Sequence, residues 1–168
     1  MIKNTAQSSI TLCVLAAIAL SVSTSHANAE EKDKQGKTYS YATKGLMEMQ
    51  ASRAVKLGVK SWKLLLDESN LGGKELEISE LVLPAGAAIG SHHHGAVEIF
   101  YVLSGRLGHE VNGEMHMLTP GMIGVVRPED SVRHIVPKEA DVKLLVIWAP
   151  VGEAKRFFDA NGTPIQEK

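Results

Sequence analysis

Six of the seven histidines lie between His92 and His134. Inside that window the stretch Gly86–Gly105, GAAIGSHHHGAVEIFYVLSG, sets His92, His94 and Glu98 at one parity. On extended backbone alternate side chains face the same way, so these three can converge on one point while His93 points away. Two imidazoles and a carboxylate form a ligand set for a first-row divalent metal. Phe100 and Val102 continue the parity and would line the same interior. A further imidazole is available at His134, flanked at alternate positions by Val132 and Val136, which points it inward as well. Three histidines and one glutamate leave one or two coordination positions for substrate, water or oxygen, as a working metal requires. His/Glu shells accept Fe, Mn, Co, Ni, Cu or Zn, so the metal's identity is not readable.

The remaining histidines bear on the site less directly. If Asn112-Gly113 forms a two-residue turn, Val111 pairs with Glu114 and His109 falls opposite His116. Leu107 and Leu118 continue that face. Two readings stay open: groups beside the pocket that assist in acid–base work, or an exposed cross-strand pair without a role. Tyr101 and His93 have outward parity, which suits packing or a subunit contact. Arg106, Arg127 and Arg133 read as solvated cations.

The elements that must position these residues read as strands. Val59–Leu66 precedes the turn-rich DESNLGG, and Lys74–Leu83 ends at Pro84 with Leu76 and Ile78 alternating with charged neighbours. Apolar runs follow at Ala96–Leu103, Arg106–Val111, Glu114–Leu118, Met122–Val126, Val132–Val136 and Val142–Trp148, bounded by Gly, Pro or Asn. About eight short strands with turns between them indicate an all-β sandwich or barrel. Glu30–Lys37 is charged, lacks apolar residues and reads as a flexible lead-in. The segment GLMEMQASRAVKLG is open between a helical turn and an irregular strand. Near the C-terminus Glu153–Asp159 is expected to form a short helix, packed through Phe157 and Phe158 and ended by Asn161-Gly162.

Taken together, the motif resembles that of the cupins, small metal-binding β-barrels whose first motif reads G-x5-H-x-H-x3 or 4-E-x6-G. Gly86, His92, His94, Glu98 and Gly105 match at every fixed point. The second motif, approximately G-x5-P-x-G-x2-H-x3-N, fits more loosely. Gly121 and Pro128 are six residues apart, Asp130 stands where the glycine belongs, His134 comes one residue late and Lys138 replaces the asparagine. A one-residue bulge near Asp130 would absorb the shift and keep His134 inward.

The resemblance implies a single cupin barrel (a double-stranded β-helix or jelly roll) over residues 59–150, with an extension at 30–58 and a tail at 151–168. It implies one divalent transition metal held by His92, His94, Glu98 and His134, and a homodimer formed through barrel edges. It also implies one of two chemistries on a small molecule: dioxygenase-type oxidation, or Lewis-acid isomerisation, lyase or decarboxylation chemistry. In either, Glu98 could leave the metal and carry a proton as the catalytic group. The competing classes are a non-catalytic periplasmic ligand or metal binder and a structural oligomeriser with an idle site.

Length and composition bound these expectations. The first 29 residues have the form of an export signal: Lys3, the thirteen-residue apolar run Ile10–Val22, then Ala27-Asn28-Ala29 with the cut before Glu30. That run is too short for a membrane span, which needs about 20 residues. Removing 29 residues from 168 leaves 139, enough for one domain. Lys+Arg falls from 18 to 17 against 19 Asp+Glu, a charge of −2, with no electrostatic pull toward nucleic acid or anionic membrane. Cys13, the sole cysteine, leaves with the signal, which excludes disulfide and thiol chemistry in a periplasmic or secreted product.

Overall fold

The computed structural model describes residues 30–32, 38–40, 43, 45–158 and 162–164. The expected export signal, with Cys13, lies outside the described residues. β1 (Glu30–Lys32) and β2 (Thr38–Ser40) pair antiparallel, with Glu30 opposite Ser40. A flexible lead-in was expected there; Thr38 and Tyr39, both favourable in strands, supply the partner that the charge pattern hid. The ambiguous GLMEMQASRAVKLG segment holds both of its alternatives in succession, β3 (Met47–Met49) and α1 (Ala51–Lys56).

Next come β4 (Ser61–Leu66), α2 (Glu68–Leu71) and β5 (Glu77–Leu83). The turn-rich DESNLGG makes α2 because Asp67 caps it, accepting from the Ser69 N–H at 2.7 Å while Asn70 accepts from the Asp67 N–H at 2.9 Å. Gly72, at φ 80°, ends it in the left-handed region. The barrel continues with β6 (Ala88–His92), β7 (Val97–Ser104), β8 (Leu107–Val111), β9 (Glu114–Leu118), β10 (Ile123–Val126), β11 (Val132–Ile135) and β12 (Val142–Ala149). α3 (Lys155–Phe158) and β13 (Gly162–Pro164) follow.

Among the described residues the barrel strands form two antiparallel sheets. One has seven strands in the order β10-β7-β12-β5-β4-β3-β13, the other four in the order β6-β11-β8-β9. β3 and β13, from either side of residues 59–150, thus extend the larger sheet. β12 lies inside it, between β7 and β5: Val142, Leu144, Val146 and Trp148 are buried, and Lys143, Leu145 and Ile147 alternate with them. Each fully buried aliphatic side chain of this kind contributes about 1.5–3 kcal/mol. Trp62 closes one end of the core, packed against Trp148 at 6.1 Å between ring centroids and against Phe157 at 4.8 Å.

The β8–β9 hairpin has the expected turn. Asn112 (φ 52°) and Gly113 (φ 86°) are both left-handed, Val111 pairs with Glu114, and His109 stands opposite His116. β9 and β10 are edge strands of different sheets, so a seam runs between them. No helix among the described residues is long and apolar enough to cross a membrane.

Candidate metal centre

His92 ends β6, His94 sits in the turn that follows, Glu98 is the second residue of β7 and His134 the third of β11. All four line one cavity of about 340 Å³. The ring centroids of His92 and His94 are 4.8 Å apart and those of His92 and His134 5.8 Å. Strand parity places Glu98 and His134, each 2% exposed, on the inner faces of opposing sheets. Phe100 follows with the same parity and meets the His134 ring at 4.7 Å.

His134 is aimed inward despite the shifted second motif, but the bulge is not at Asp130. β11 pairs with β8 in unbroken register, and the irregularity lies between β11 and β6, where Gly90 and Ser91 oppose Arg133 alone. The loop at Asp130 is held by side chains instead. Asp130 accepts from the Arg127 N–H at 2.8 Å and from the Asn112 side chain at 2.7 Å, and Asn112 accepts from the Ser131 N–H at 3.0 Å. The Arg127 N–H bond, then the Asn112 bond, hold the Asp130 carboxyl below its ordinary value.

The hydrogen-bond pattern assigns the tautomers of His92 and His94. His92 Nδ1 lies 2.8 Å from the Gly90 carbonyl, which can only accept, so Nδ1 carries the proton and the lone pair is on Nε2. His94 Nδ1 faces the Glu153 carboxylate at 3.4 Å, which assigns its lone pair to Nε2 in the same way. That Nε2 is 2.9 Å from Glu98 Oε2, yet the two are not aligned as a hydrogen bond. Carboxylates on both edges of one imidazole call for positive charge there, from a proton or from a metal. Burial acts to lower the His94 pKa, but Glu98 and Glu153 outweigh it and the net shift is upward. For His134 burial dominates, followed by its neighbouring histidines, and the pKa falls to about 3. It is therefore a neutral imidazole at ordinary pH, with neither ring nitrogen hydrogen-bonded.

The orphaned buried atoms of His94, Glu98 and His134 fit a cation. As the side chains stand, however, no three His, Cys, Asp or Glu groups among the described residues are arranged to hold an ion. Donors of the right kind share a cavity without yet converging.

Glu153 is the site residue that the sequence reading missed. It was placed in the expected C-terminal helix and lies instead in the turn before α3, 6% exposed. Oε1 accepts from the Gly95 N–H at 2.8 Å, and Oε2 faces His94 and pairs with Arg156. Its signal in sequence is only an acidic residue shortly after a strand end.

The structure separates His109 from His116. His109 is 3% exposed and stacks on His134 at 5.3 Å with 17° between ring planes. His116 is exposed beside Glu114, its Nε2 3.2 Å from Oε1. Both line a different cavity, of about 570 Å³, at the seam between β9 and β10. Of the two, only His109 touches a residue of the 340 Å³ cavity, through its stacking on His134. His93 and Tyr101 are exposed as their parity required, and Arg133 and Arg106 pair with Glu110 and Glu139 at the surface.

Residues 79–148 match the family model described as Cupin domain, and cupin domains generally bind a divalent metal. Among solved structures, the chain is similar to an RmlC-like cupin from Shewanella frigidimarina (20% identity, TM-score 0.53, covering 71% of this chain and 96% of that one). It is also similar to KdgF from Halomonas sp. (21%, 0.51, 58% and 83%). A Cupin 2 conserved barrel domain protein from Salinispora arenicola is comparable (19%, 0.50, 60% and 83%). No curated protein matches. At these identities the structural likenesses speak for the fold. The family match over residues 79–148, the strand order and the structural likenesses agree on an all-β cupin-barrel fold.

Proposed function

We propose that this chain is a mononuclear metal-dependent cupin enzyme acting on a small molecule, with His92, His94, Glu98 and His134 as the ligands. The observation that carries the reading is the buried His94–Glu98 pair, 2.9 Å apart, lining one cavity with His134, neither of whose ring nitrogens is hydrogen-bonded. A bound divalent metal would supply Lewis acidity, or a site where oxygen and substrate meet. The chain supplies the rest. Glu153 and the Gly90 carbonyl hold Nδ1 of His94 and His92, and burial keeps His134 unprotonated. The apolar walls exclude water, and Glu98, the one carboxylate in contact with His94 Nε2, is placed to take up or return a proton. This reading includes export, with a mature chain starting at Glu30 in the periplasm or outside the cell, and a homodimer joined along barrel edges.

The second reading is a non-catalytic binder. It is favoured by the scarcity of further titratable groups: among the described residues only Glu153 joins the four in lining the cavity, and it is engaged with Gly95, His94 and Arg156.

Elemental analysis of the purified mature protein, wild type against His94→Ala, tests the metal assignment. About one metal per chain in wild type and a marked loss in the variant are expected. Wild type well below one, or equal contents, would sink the ligand set. A tightly held small molecule recovered chemically unchanged from the metal-loaded protein would favour the binder.

A further inference from the structure

Glu77, the first residue of β5, is 1% exposed on the inner face of the larger sheet and is not one of the four expected ligands. A carboxyl group buried this deeply is costly unless its oxygens are hydrogen-bonded. Among the described residues one such bond is made: Oε1 accepts from the Ala154 N–H at 2.6 Å. The acceptor therefore serves the turn after β12, at the residue next to Glu153. Sheet register fixes where that turn stands. Trp148 pairs with Glu98 of β7 on one side and with Glu77 of β5 on the other, so the two carboxylates flank one indole in a single row of the inner face. With neighbouring strands about 4.8 Å apart, the row sets them about 10 Å from each other. Beyond the row the chain turns back. The Val151 N–H donates to the Lys74 carbonyl at 3.3 Å, Gly152 takes a φ of 130° in the region that favours glycine, and Ala154 docks on Glu77. Glu153 sits between these fixed points, its carboxylate presented to the Gly95 N–H at 2.8 Å and to His94 Nδ1 at 3.4 Å. Its Oε2 is shared between His94 and the exposed Arg156. A turn released at Ala154 would be free to follow Arg156 outward and take the carboxylate from His94.

We infer that Glu77 is a positioning residue for the site. By holding the Ala154 N–H it fixes the turn that presents Glu153 to His94, and so sets which His94 nitrogen carries the lone pair. What the position requires is an acceptor oxygen at the reach of a glutamate, because its partner is a neutral backbone N–H. The bearing on metal affinity rests on the proposed function; the effect on the His94 ring does not.

The test compares the mature wild type with Glu77→Gln, Glu77→Asp and Glu77→Leu, each also combined with Glu153→Gln. Glu77→Gln keeps an acceptor at the same reach, Glu77→Asp keeps the charge but withdraws it by one methylene, and Glu77→Leu removes both. Zinc affinity, read by chelator competition, is expected to stay within about threefold in Glu77→Gln and to fall about tenfold in Glu77→Asp and Glu77→Leu, as for other groups that orient a metal ligand. With Glu153→Gln in place the Glu77 substitutions are expected to cost no further affinity, since groups that act through one contact do not add. Simple support of the fold would lower stability in both backgrounds alike and leave this coupling absent. In the metal-free protein, the ring nitrogen shifts of neutral His94 are expected to show Nδ1 protonated in wild type and Glu77→Gln, and a mixture of tautomers in Glu77→Asp and Glu77→Leu. Equal affinities throughout, losses undiminished by Glu153→Gln, or a Glu77→Asp that matches wild type would overturn the inference, and the Gln and Asp variants decide this should Glu77→Leu not fold. A wild type that holds no metal but keeps this order of tautomers would remove the proposed function and leave the role of Glu77 toward His94 standing. One that holds metal, with tautomer and affinity unmoved in Glu77→Asp, would do the reverse.

Discussion

Acid is expected to unfold the metal-free protein through His134. Its imidazole has an ordinary pKa of 6.5 and a folded value of about 3, set first by burial and then by the charges of His109, His92 and His94. Between those values the unfolded chain binds a proton that the folded chain refuses, so stability falls as pH drops below 6.5. At about 1.4 kcal/mol per tenfold change in proton affinity, the gap sets a ceiling of about 5 kcal/mol. A domain has a total of about 5–15 kcal/mol, so this one group can decide whether it stays folded. His109, also lowered by burial first, acts in the same direction. His94 acts in the opposite one: its raised value adds stability below 6.5 that is lost as pH rises through the folded value. Asp130 and Asp141 are held below the ordinary carboxyl value of 3.8, so their stabilising effect is lost only in stronger acid.

Urea denaturation of the chelator-treated protein between about pH 4.5 and 7 isolates the histidines. Wild type is expected to lose stability toward a limiting slope of about 1.4 kcal/mol per pH unit for each uncompensated buried histidine. His134→Leu removes the group and is expected to flatten the profile, whatever its effect on stability at neutral pH. Parallel profiles for wild type and variant would refute the reasoning.

Two further substitutions test the supports of the site. Glu153→Gln removes the charge that faces His94 Nδ1, and zinc or cobalt affinity, read by chelator competition, is expected to fall about 10–100-fold; an unchanged affinity would remove Glu153 from the site. Gly124→Ala places a Cβ 2.7 Å from Leu118 Cδ1 and 3.0 Å from His109 Nε2, where β10 crosses the seam. Overpacking of this kind costs about 1–3 kcal/mol, and an unmoved urea midpoint would show that the seam yields freely.

What could be read from sequence was local. His92, Glu98, Phe100 and Val102 face inward because parity along a chain segment needs no partner. The Asn112-Gly113 turn needs only two left-handed residues, and its register carries His109 opposite His116. The different exposure of those two histidines depends on which strands become edges. β9 and β10 end different sheets, and that choice is made by pairings elsewhere in the barrel. β3 and β13, three residues each, are too short to show a period and exist through pairing with their neighbours.

Glu153 lies 59 residues from His94, and nothing in the turn that holds it distinguishes it from a surface acid. The return of the chain after β12 brings its carboxylate against Gly95 and His94. The Gly95 position matters as much as the carboxylate, since a Cβ there would stand 3.0 Å from Glu153 Oε1. The first cupin motif therefore specifies donors and their parity, while the tail beyond the barrel determines which nitrogen of His94 faces Glu98. A chain with the same motif and a different tail would keep the donors and lose that orientation. In the proposed metal site, affinity is therefore expected to depend on a segment that the motif does not cover.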